Sequence, residues 1–208
     1  MMRSMTLAEL QPQLAARLLG EDRSFARVST DSRSLGAGDL FVALRGDTFD
    51  GHDYIAAAQQ AGAAGAVVSR PLDAPISQLL VEDTERALGL LAAYNRQFYQ
   101  GPLVAITGSS GKTTAKALVS AVLAQRGATL ATEGNYNNEI GVPLTLLRLS
   151  PEHEFAVVEM GAAKRGDIAR LCEFGRPTVA LLLNAMPAHL EGFGSLEAIV
   201  QTKGEIFD

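Results

Sequence analysis

Short unbroken apolar runs take turns along the chain with longer stretches whose apolar residues recur every three to four positions. Leu40–Leu44, Ala66–Val68, Leu79–Val81, Leu103–Ile106, Ala128–Ala131, Phe155–Gly161 and Thr178–Asn184 predict strands, most of them buried. Between them lie helical patterns. Asp83 to Phe98 is the clearest, with Ala87, Leu88, Leu91, Tyr94 and Phe98 on one face and Asp83 or Thr84 as the cap. Tyr54–Gly62, Ala115–Gln125, Pro143–Leu149, Gly166–Phe174 and a stretch capped by Ser195 also read as helices. Thr6-Leu7-Ala8-Glu9 forms a capping box that opens a helix of about two turns, with Arg17–Leu19 extended beyond it. Pro12 kinks or ends that helix, because it lacks an N–H and clashes with the preceding turn. Strands alternating with helices argue parallel sheets joined by crossover helices, hence an α/β fold. Gln100-Gly101-Pro102 interrupts the pattern and divides the chain into 1–100 and 101–208.

One junction carries chemistry. The strand Leu103–Ile106 runs into Thr107-Gly108-Ser109-Ser110-Gly111-Lys112-Thr113-Thr114, and a helix follows. Strand, tight glycine-rich loop and helix is the context of a phosphate-binding loop. Gly108 and Gly111 let the backbone wrap an anion, and the free N–H groups of the new helix face it. Lys112 adds a full positive charge, and the Thr113 hydroxyl can reach a magnesium ion. The long form of the loop would need glycine at position 106, where Ile106 stands, so this is a shorter form. The loop predicts nucleoside triphosphate binding and leaves the reaction open.

Other polar stretches interrupt the apolar pattern at strand ends. Ser29-Thr30-Asp31-Ser32-Arg33 reads by composition as a polar turn. Arg45 to Tyr54, including Gly46, Asp50 and His52, follows a strand where open α/β sheets bind ligands. Asn135, Asn137 and Asn138 supply more donors and acceptors than a plain turn needs. Glu159, at the tip of a buried strand beside the loop, suits an acid that orders magnesium, the alternative being a structural carboxylate with a buried partner. By spacing alone His189 and Lys203 carry no assignment.

Composition narrows the class. Apolar residues make up 47% and charged residues 20%, and the net charge is −5. That describes a globular protein without general nucleic-acid affinity. No apolar stretch reaches the roughly 18 residues of a membrane span, and no apolar segment opens the chain, so the cytoplasm is the expected location. The single cysteine, Cys172, excludes an intramolecular disulfide and sits in a helical pattern as a core residue.

Taken together these stretches resemble the Mur ligases of bacterial cell-wall synthesis. The resemblance spans nearly the whole chain and rests on Ser29–Arg33, Asp39–Gly46, Phe49–His52, Thr107–Thr114, Gly134–Pro143, Glu159–Gly161, Asn184-Ala185, His189–Ser195 and Lys203–Ile206. The asparagine block and the His189–Ser195 block look like the branch that adds D-alanyl-D-alanine to a UDP-N-acetylmuramoyl-tripeptide. The first three blocks are also similar to the branch that adds a single amino acid. The resemblance implies a small amino-terminal α/β domain for the UDP substrate, then part of a parallel-sheet ATP-binding domain. By the same resemblance a carboxy-terminal acceptor domain is expected to lie outside these residues, so the chain reads as an amino-terminal piece, expected to have no ligase turnover of its own.

In that family ATP phosphorylates the substrate carboxylate, the acceptor amine attacks the acyl phosphate, and phosphate leaves. Catalysis is then mostly positioning and electrostatics. The resemblance implies that Gly108, Ser109, Ser110, Gly111, Lys112, Thr113, Thr114 and Asn184 hold the nucleotide. Thr113 and Glu159 would hold one magnesium, and Glu159, His189 and a carbamylated Lys203 a second. Modification is needed because an ammonium has no acceptor, whereas a carbamate is anionic. Ser29, Thr30, Asp31, Ser32, Arg33, Arg45, Gly46, Asp50 and His52 form the expected uridine-diphosphate pocket, with Asn135, Asn137 and Asn138 near substrate. The expected partners are the two peptidoglycan precursors, with ATP and Mg2+ and no nucleic acid, and a monomer is expected. A nucleotide-binding module without ligase chemistry is the alternative from another class, and it has no need for Glu159, His189 and Lys203 together.

Overall fold

The computed structural model describes residues 2–187 and 194–208. The chain divides into two units, Met1–Tyr94 and Asn95–Asp208, so the division falls ahead of the Gln100-Gly101-Pro102 break.

In the first unit a strand β1 (Met5–Thr6) leads into α1 (Leu7–Leu14), and Thr6 Oγ1 accepts from the Glu9 N–H at 3.2 Å. Pro12 lies inside α1, and the helix closes at Ala15, whose φ of 49° is left-handed. Next come β2 (Arg17–Leu19), β3 (Ser24–Phe25), β4 (Val28–Ser29), β5 (Leu40–Val42), α2 (Ile55–Gln60), β6 (Gly65–Val68), β7 (Gln78–Leu80) and α3 (Thr84–Arg96), whose last two residues belong to the second unit. The sheet order is β2-β7-β6-β5-β4. Strands β4 to β7 pair in parallel, but β2 joins β7 antiparallel and β1 pairs antiparallel with β3. The expected parallel pairing therefore holds for β4 to β7 and not for β2 or the β1–β3 pair. Strand–helix alternation sets direction only where a crossover joins two strands of one sheet, and β2 is not reached by such a crossover.

The core of this unit forms where α2 lies on the sheet. Phe41 and Ala43, Ala66 and Val68, and Ile55 and Ala58 of α2 make one buried cluster. Alanines on the helix and on β6 allow close approach, which is why the small-residue run folds as a helix against this face. Asp83 is the cap of α3, since its Oδ1 accepts from the N–H groups of Glu85 and Arg86 at 2.8 and 3.1 Å. Thr84 Oγ1 instead donates to Ala43 O at 2.9 Å.

The second unit continues with β8 (Leu103–Thr107), α4 (Lys112–Leu123), β9 (Thr129–Ala131), α5 (Gly141–Leu146), β10 (Phe155–Glu159), α6 (Asp167–Gly175), β11 (Val179–Leu182) and α7 (Leu196–Gly204). Its sheet is parallel throughout, in the order β11-β8-β10-β9. From β8 the chain crosses to β9, returns to β10, and then passes to β11 on the other side of β8. The winding thus reverses at β8, and ligands of open α/β sheets bind at the strand ends beside such a reversal.

One expectation fails here. Thr178–Asn184 is expected to be a buried strand, yet among the described residues β11 lies at the sheet edge with Val179 50% exposed and its other residues half-buried. An unbroken apolar run shows that a strand can be covered on both faces, not where in the sheet it sits.

Two charged side chains clamp α6 at its ends. Arg96 donates to Gly175 O, Tyr99 O and Arg176 O at 2.8, 2.7 and 3.1 Å. The Glu205 carboxylate accepts from the N–H groups of Gly166 and Ala169 at 2.9 and 3.0 Å. A cation at the carbonyl end and an anion at the amide end both complement the helix dipole. Cys172 on α6 is half-buried rather than fully in the core, and burial pushes its thiol up to about 11.

Candidate active site

In the first unit the parallel strands β4, β5 and β6 all deliver their following loops to one sheet edge. This edge gathers Ser29–Arg33, Arg45–His52 and Ser69-Arg70. Asp31 caps a short 3-10 turn, taking the Arg33 N–H at 2.9 Å, and also pairs with the Arg33 guanidinium. Those contacts hold the Asp31 carboxyl at about 2. Ser29 is buried and its hydroxyl donates to Asp31 O at 3.0 Å, while Thr30 and Ser32 are half-exposed. Arg45 bridges Asp50 in antiparallel fashion, folding the Arg45–Asp50 segment into a tight exposed loop that includes Gly46. A side chain at Gly46 would run into the Phe49 ring.

His52 is the surprise of this edge. Its side chain is fully buried. Nε2 accepts from the Ser69 N–H at 2.9 Å, so the proton sits on Nδ1 and is donated to Asp50 Oδ1 at 2.5 Å. Asp50 also accepts from the His52 N–H at 2.9 Å and from Arg70 Nη1 at 2.8 Å, and these donors depress its pKa. Asp50 and His52 thus brace the loop internally, leaving Arg33, Arg45 and Arg70 as the exposed cations of the edge. Arg70 was missed from sequence. The only signal was its place just past the end of a predicted strand.

In the second unit the loop after β8 is formed as its spacing implies. Gly111 has φ of 79° and precedes α4, a conformation that a side chain would strain. Asn184, just past β11, holds the loop. Its Oδ1 accepts from the N–H groups of Ser109 and Ser110, both at 3.1 Å, and its Nδ2 donates to Ser110 O at 3.2 Å. Ser109 Oγ donates to Met186 O at 2.9 Å. Lys112 curls back, its Nζ donating to Gly108 O at 2.8 Å. Thr113 and Thr114 are exposed on the first turn of α4, where helix N–H groups have no intrahelical acceptor.

Glu159 ends β10 only 1% exposed. Its Oε2 accepts from Thr113 Oγ1 at 3.1 Å, and its Oε1 accepts from Asn137 Nδ2 at 2.8 Å. Asn137 also ties the next residues down, since its carbonyl accepts from the Gly161 N–H at 2.7 Å. Asn138 turns the chain into α5, its Oδ1 accepting from the Gly141 N–H at 2.8 Å, and Asn135 is exposed. The asparagines therefore divide the work between holding the carboxylate, turning the chain into α5 and facing solvent. Lys116 was missed from sequence. Buried beside Glu159, it lies on α4 one helical turn after Thr113 and Lys112, a spacing that could have flagged it.

Lys203 is 4% exposed in the last turn of α7, which Ser195 caps through the Ala198 N–H at 3.1 Å. Burial, and then the charge of Lys112, push its pKa below the ordinary lysine value. His189 lies outside the described residues.

The Thr113 hydroxyl and Glu159 carboxylate fit a magnesium ion, being hard oxygen donors 3.1 Å apart. Among the described residues no three His, Cys, Asp or Glu side chains cluster as a metal site. That donor set suits an ion that takes its remaining oxygens from phosphate and water. Lys203 as an ammonium has no acceptor to offer and fits only once modified.

A phosphate-binding loop at the reversal point of a parallel sheet, with its threonine on a buried glutamate, defines an α/β nucleotide-binding protein. Comparison with known proteins narrows this. The profile described as "Mur ligase family, catalytic domain" matches residues 24–96, and the "Mur ligase middle domain" matches residues 106–208. The chain belongs to the Mur ligase family. It is 51% identical over 204 residues to UDP-N-acetylmuramoyl-tripeptide–D-alanyl-D-alanine ligase of Escherichia coli (strain K12), covering 98% of this chain and 45% of that protein. The ligase of the same name from Synechocystis sp. is 48% identical, covering 93% and 43%. A crystal structure of MurF from Acinetobacter baumannii superposes with TM-score 0.94 at 41% identity, covering 99% of this chain and 46% of that one. MurF of Thermotoga maritima, solved in complex with ADP, gives TM-score 0.81 at 41% identity, covering 86% and 42%. The chain spans about half the length of the relatives it matches.

Proposed function

We propose that this chain carries the UDP-substrate unit and part of the ATP-binding unit of an ATP-dependent ligase. The ligase joins D-alanyl-D-alanine to UDP-N-acetylmuramoyl-tripeptide. The observation that supports this reading best is the Thr113–Glu159 pair at 3.1 Å beside the loop of Thr107–Thr114, in a chain 51% identical to a ligase of that name.

The residues divide the task as follows. The N–H groups at the head of α4 and the Lys112 ammonium, uncurled from Gly108, hold the nucleotide phosphates. Asn184 keeps the loop open around them. Thr113 and Glu159 hold magnesium, which when bound neutralises charge on the transferring phosphoryl group. Its burial and the nearby Lys112 favour the neutral amine of Lys203, the form that reacts with CO2 to give a carbamate. His189, assigned by resemblance alone, completes this set. At the edge of the first unit, Arg33, Arg45 and Arg70 supply paired donors suited to a diphosphate, with Asp50 and His52 bracing the loop that presents Arg45.

Thermal unfolding of the 208-residue chain with ligand tests the reading. A ligand that binds only the native state stabilises it by about 2.7 kcal/mol at a hundred times its Kd. UDP-N-acetylmuramoyl-tripeptide raises the Tm and free D-alanyl-D-alanine does not. Saturating nucleotide-linked tripeptide without effect on Tm refutes the assignment of the first unit.

A further inference from the structure

Lys116 is the one residue of α4 that the structure buries. Its Nζ lies 3.4 Å from Glu159 Oε2 and donates to Gly134 O at 2.8 Å. The side chains of Lys116 and Glu159 are 8% and 2% exposed. Charges this buried are screened little by salt or solvent. The Gly134 carbonyl fixes the ammonium, so it cannot swing away as a surface lysine does. The carboxylate is fixed as well: Asn137 holds its Oε1, and Thr132 Oγ1 accepts from the Glu159 N–H at 3.0 Å.

This arrangement has an electrostatic consequence. A bare buried carboxylate attracts any divalent cation. A carboxylate already paired with a fixed ammonium presents no net charge, and a cation that joined it would also lie within a few ångströms of Lys116. Lys112 stands one turn earlier on the same helix and adds to the repulsion. The phosphates of a nucleotide reverse that balance, because they bring several negative charges to the same place.

We propose that Lys116 is the resident counter-charge of Glu159, a positioning residue that keeps a divalent cation off this carboxylate until nucleotide phosphates arrive. The proposal rests on Glu159 being a metal-facing residue. Metal binding is thereby conditional on nucleotide, so the cation enters as part of the phosphate complex rather than ahead of it. The Gly134 contact also ties the segment after β9 to α4, so the same lysine keeps Asn137 on the carboxylate.

Mn2+ serves as the probe, since it shares the oxygen preference of Mg2+ and its binding is read directly by electron paramagnetic resonance. Titrations compare the wild-type chain, Lys116→Gln, Glu159→Gln and the double variant, each without nucleotide and with ADP. Glutamine at 116 removes the charge and carries an N–H donor, on a side chain one bond shorter, that can face Gly134 O. The expected result without nucleotide is weak wild-type binding and a gain on the order of tenfold or more in Lys116→Gln, from removing a like charge within a few ångströms. That gain disappears in the double variant. A Lys116→Gln chain that binds Mn2+ no more tightly than wild type overturns the proposal, as does a gain that survives in the double variant. Should Lys116→Gln not fold by circular dichroism, the wild-type chain decides. Mn2+ binding that needs ADP and is lost in Glu159→Gln supports the proposal, and Glu159-dependent binding equally tight without ADP overturns it. ADP-dependent Mn2+ binding that ignores Glu159→Gln removes the metal-facing role itself, and the proposal with it.

Discussion

Asn184 lies well away in sequence from the loop it holds, and that makes Asn184→Ala a sharp perturbation. The side chain makes three hydrogen bonds to Ser109 and Ser110. They are not equivalent. The Ser109 N–H also donates to the Asn184 backbone carbonyl at 3.1 Å, a bond that alanine keeps. The Ser110 N–H and Ser110 O lose their Asn184 partners altogether. Two net hydrogen bonds at a partly exposed loop come to about 1–2 kcal/mol, the lower part of the usual range for two. Opening of the loop at Ser110 becomes favoured by about that amount, and its amide exchanges roughly 5- to 30-fold faster, while Ser109 changes far less. Nucleotide affinity falls by a similar factor, because the loop must be ordered before it can bind. Asn184→Asp keeps the acceptor for both N–H groups but loses the donor to Ser110 O, so exchange at Ser110 speeds up less than in the alanine variant. Its added negative charge faces the phosphates, so it weakens nucleotide binding at least as much as alanine does. Residue-resolved hydrogen exchange by NMR reads both amides in one experiment. Unchanged exchange at Ser110 in Asn184→Ala, or equal acceleration at Ser109, refutes the reasoning.

Other variants probe the scaffold. Arg96→Met removes three hydrogen bonds from a charged donor to the carbonyls of Tyr99, Gly175 and Arg176; a loss of about 2–4 kcal/mol, or on the order of 5–10 °C in Tm, is expected. Arg96→Lys restores only part of it, because one ammonium cannot span three acceptors, and full rescue in a thermal melt would show that charge alone matters. For Cys172, burial raises the thiol to about 11 from an ordinary 9. The folded chain holds this proton longer than the unfolded chain does, so the stability it contributes is intact below about pH 9 and is lost as pH rises toward 11. Urea titrations across that window show a decline that Cys172→Ala lessens, and identical slopes in the two chains would refute the assignment.

Much of the site was legible because it is local. The loop of Thr107–Thr114 announces itself through spacing alone, since strand, glycines, lysine and helix are contiguous and the phosphate chemistry needs them contiguous. The caps at Thr6, Asp83 and Ser195 could be read for the same reason: a side chain two or three residues from its N–H partner is a local event. Pairings between distant positions were not legible. Nothing near Lys116 in sequence says that Gly134 O and Glu159 will enclose it, and nothing near His52 says that Ser69 will take its second nitrogen. By its place in the chain His52 read as a cap or loop residue, and the structure makes it a buried brace of that loop.

By itself, then, the amino-acid sequence determined the α/β class, the positions of most strands and helices, the phosphate loop and the family resemblance, because periodicity, capping and turn chemistry act over a few neighbouring residues. Only the tertiary structure decided that β2 runs antiparallel, that β11 is an edge strand, that Asn184 pins the loop and that Glu159 is shared by Thr113, Asn137 and Lys116. These depend on which strands lie side by side. The apolar period gives each segment's shape but not its neighbours, and the charges at strand tips acquire partners only when the sheet has formed.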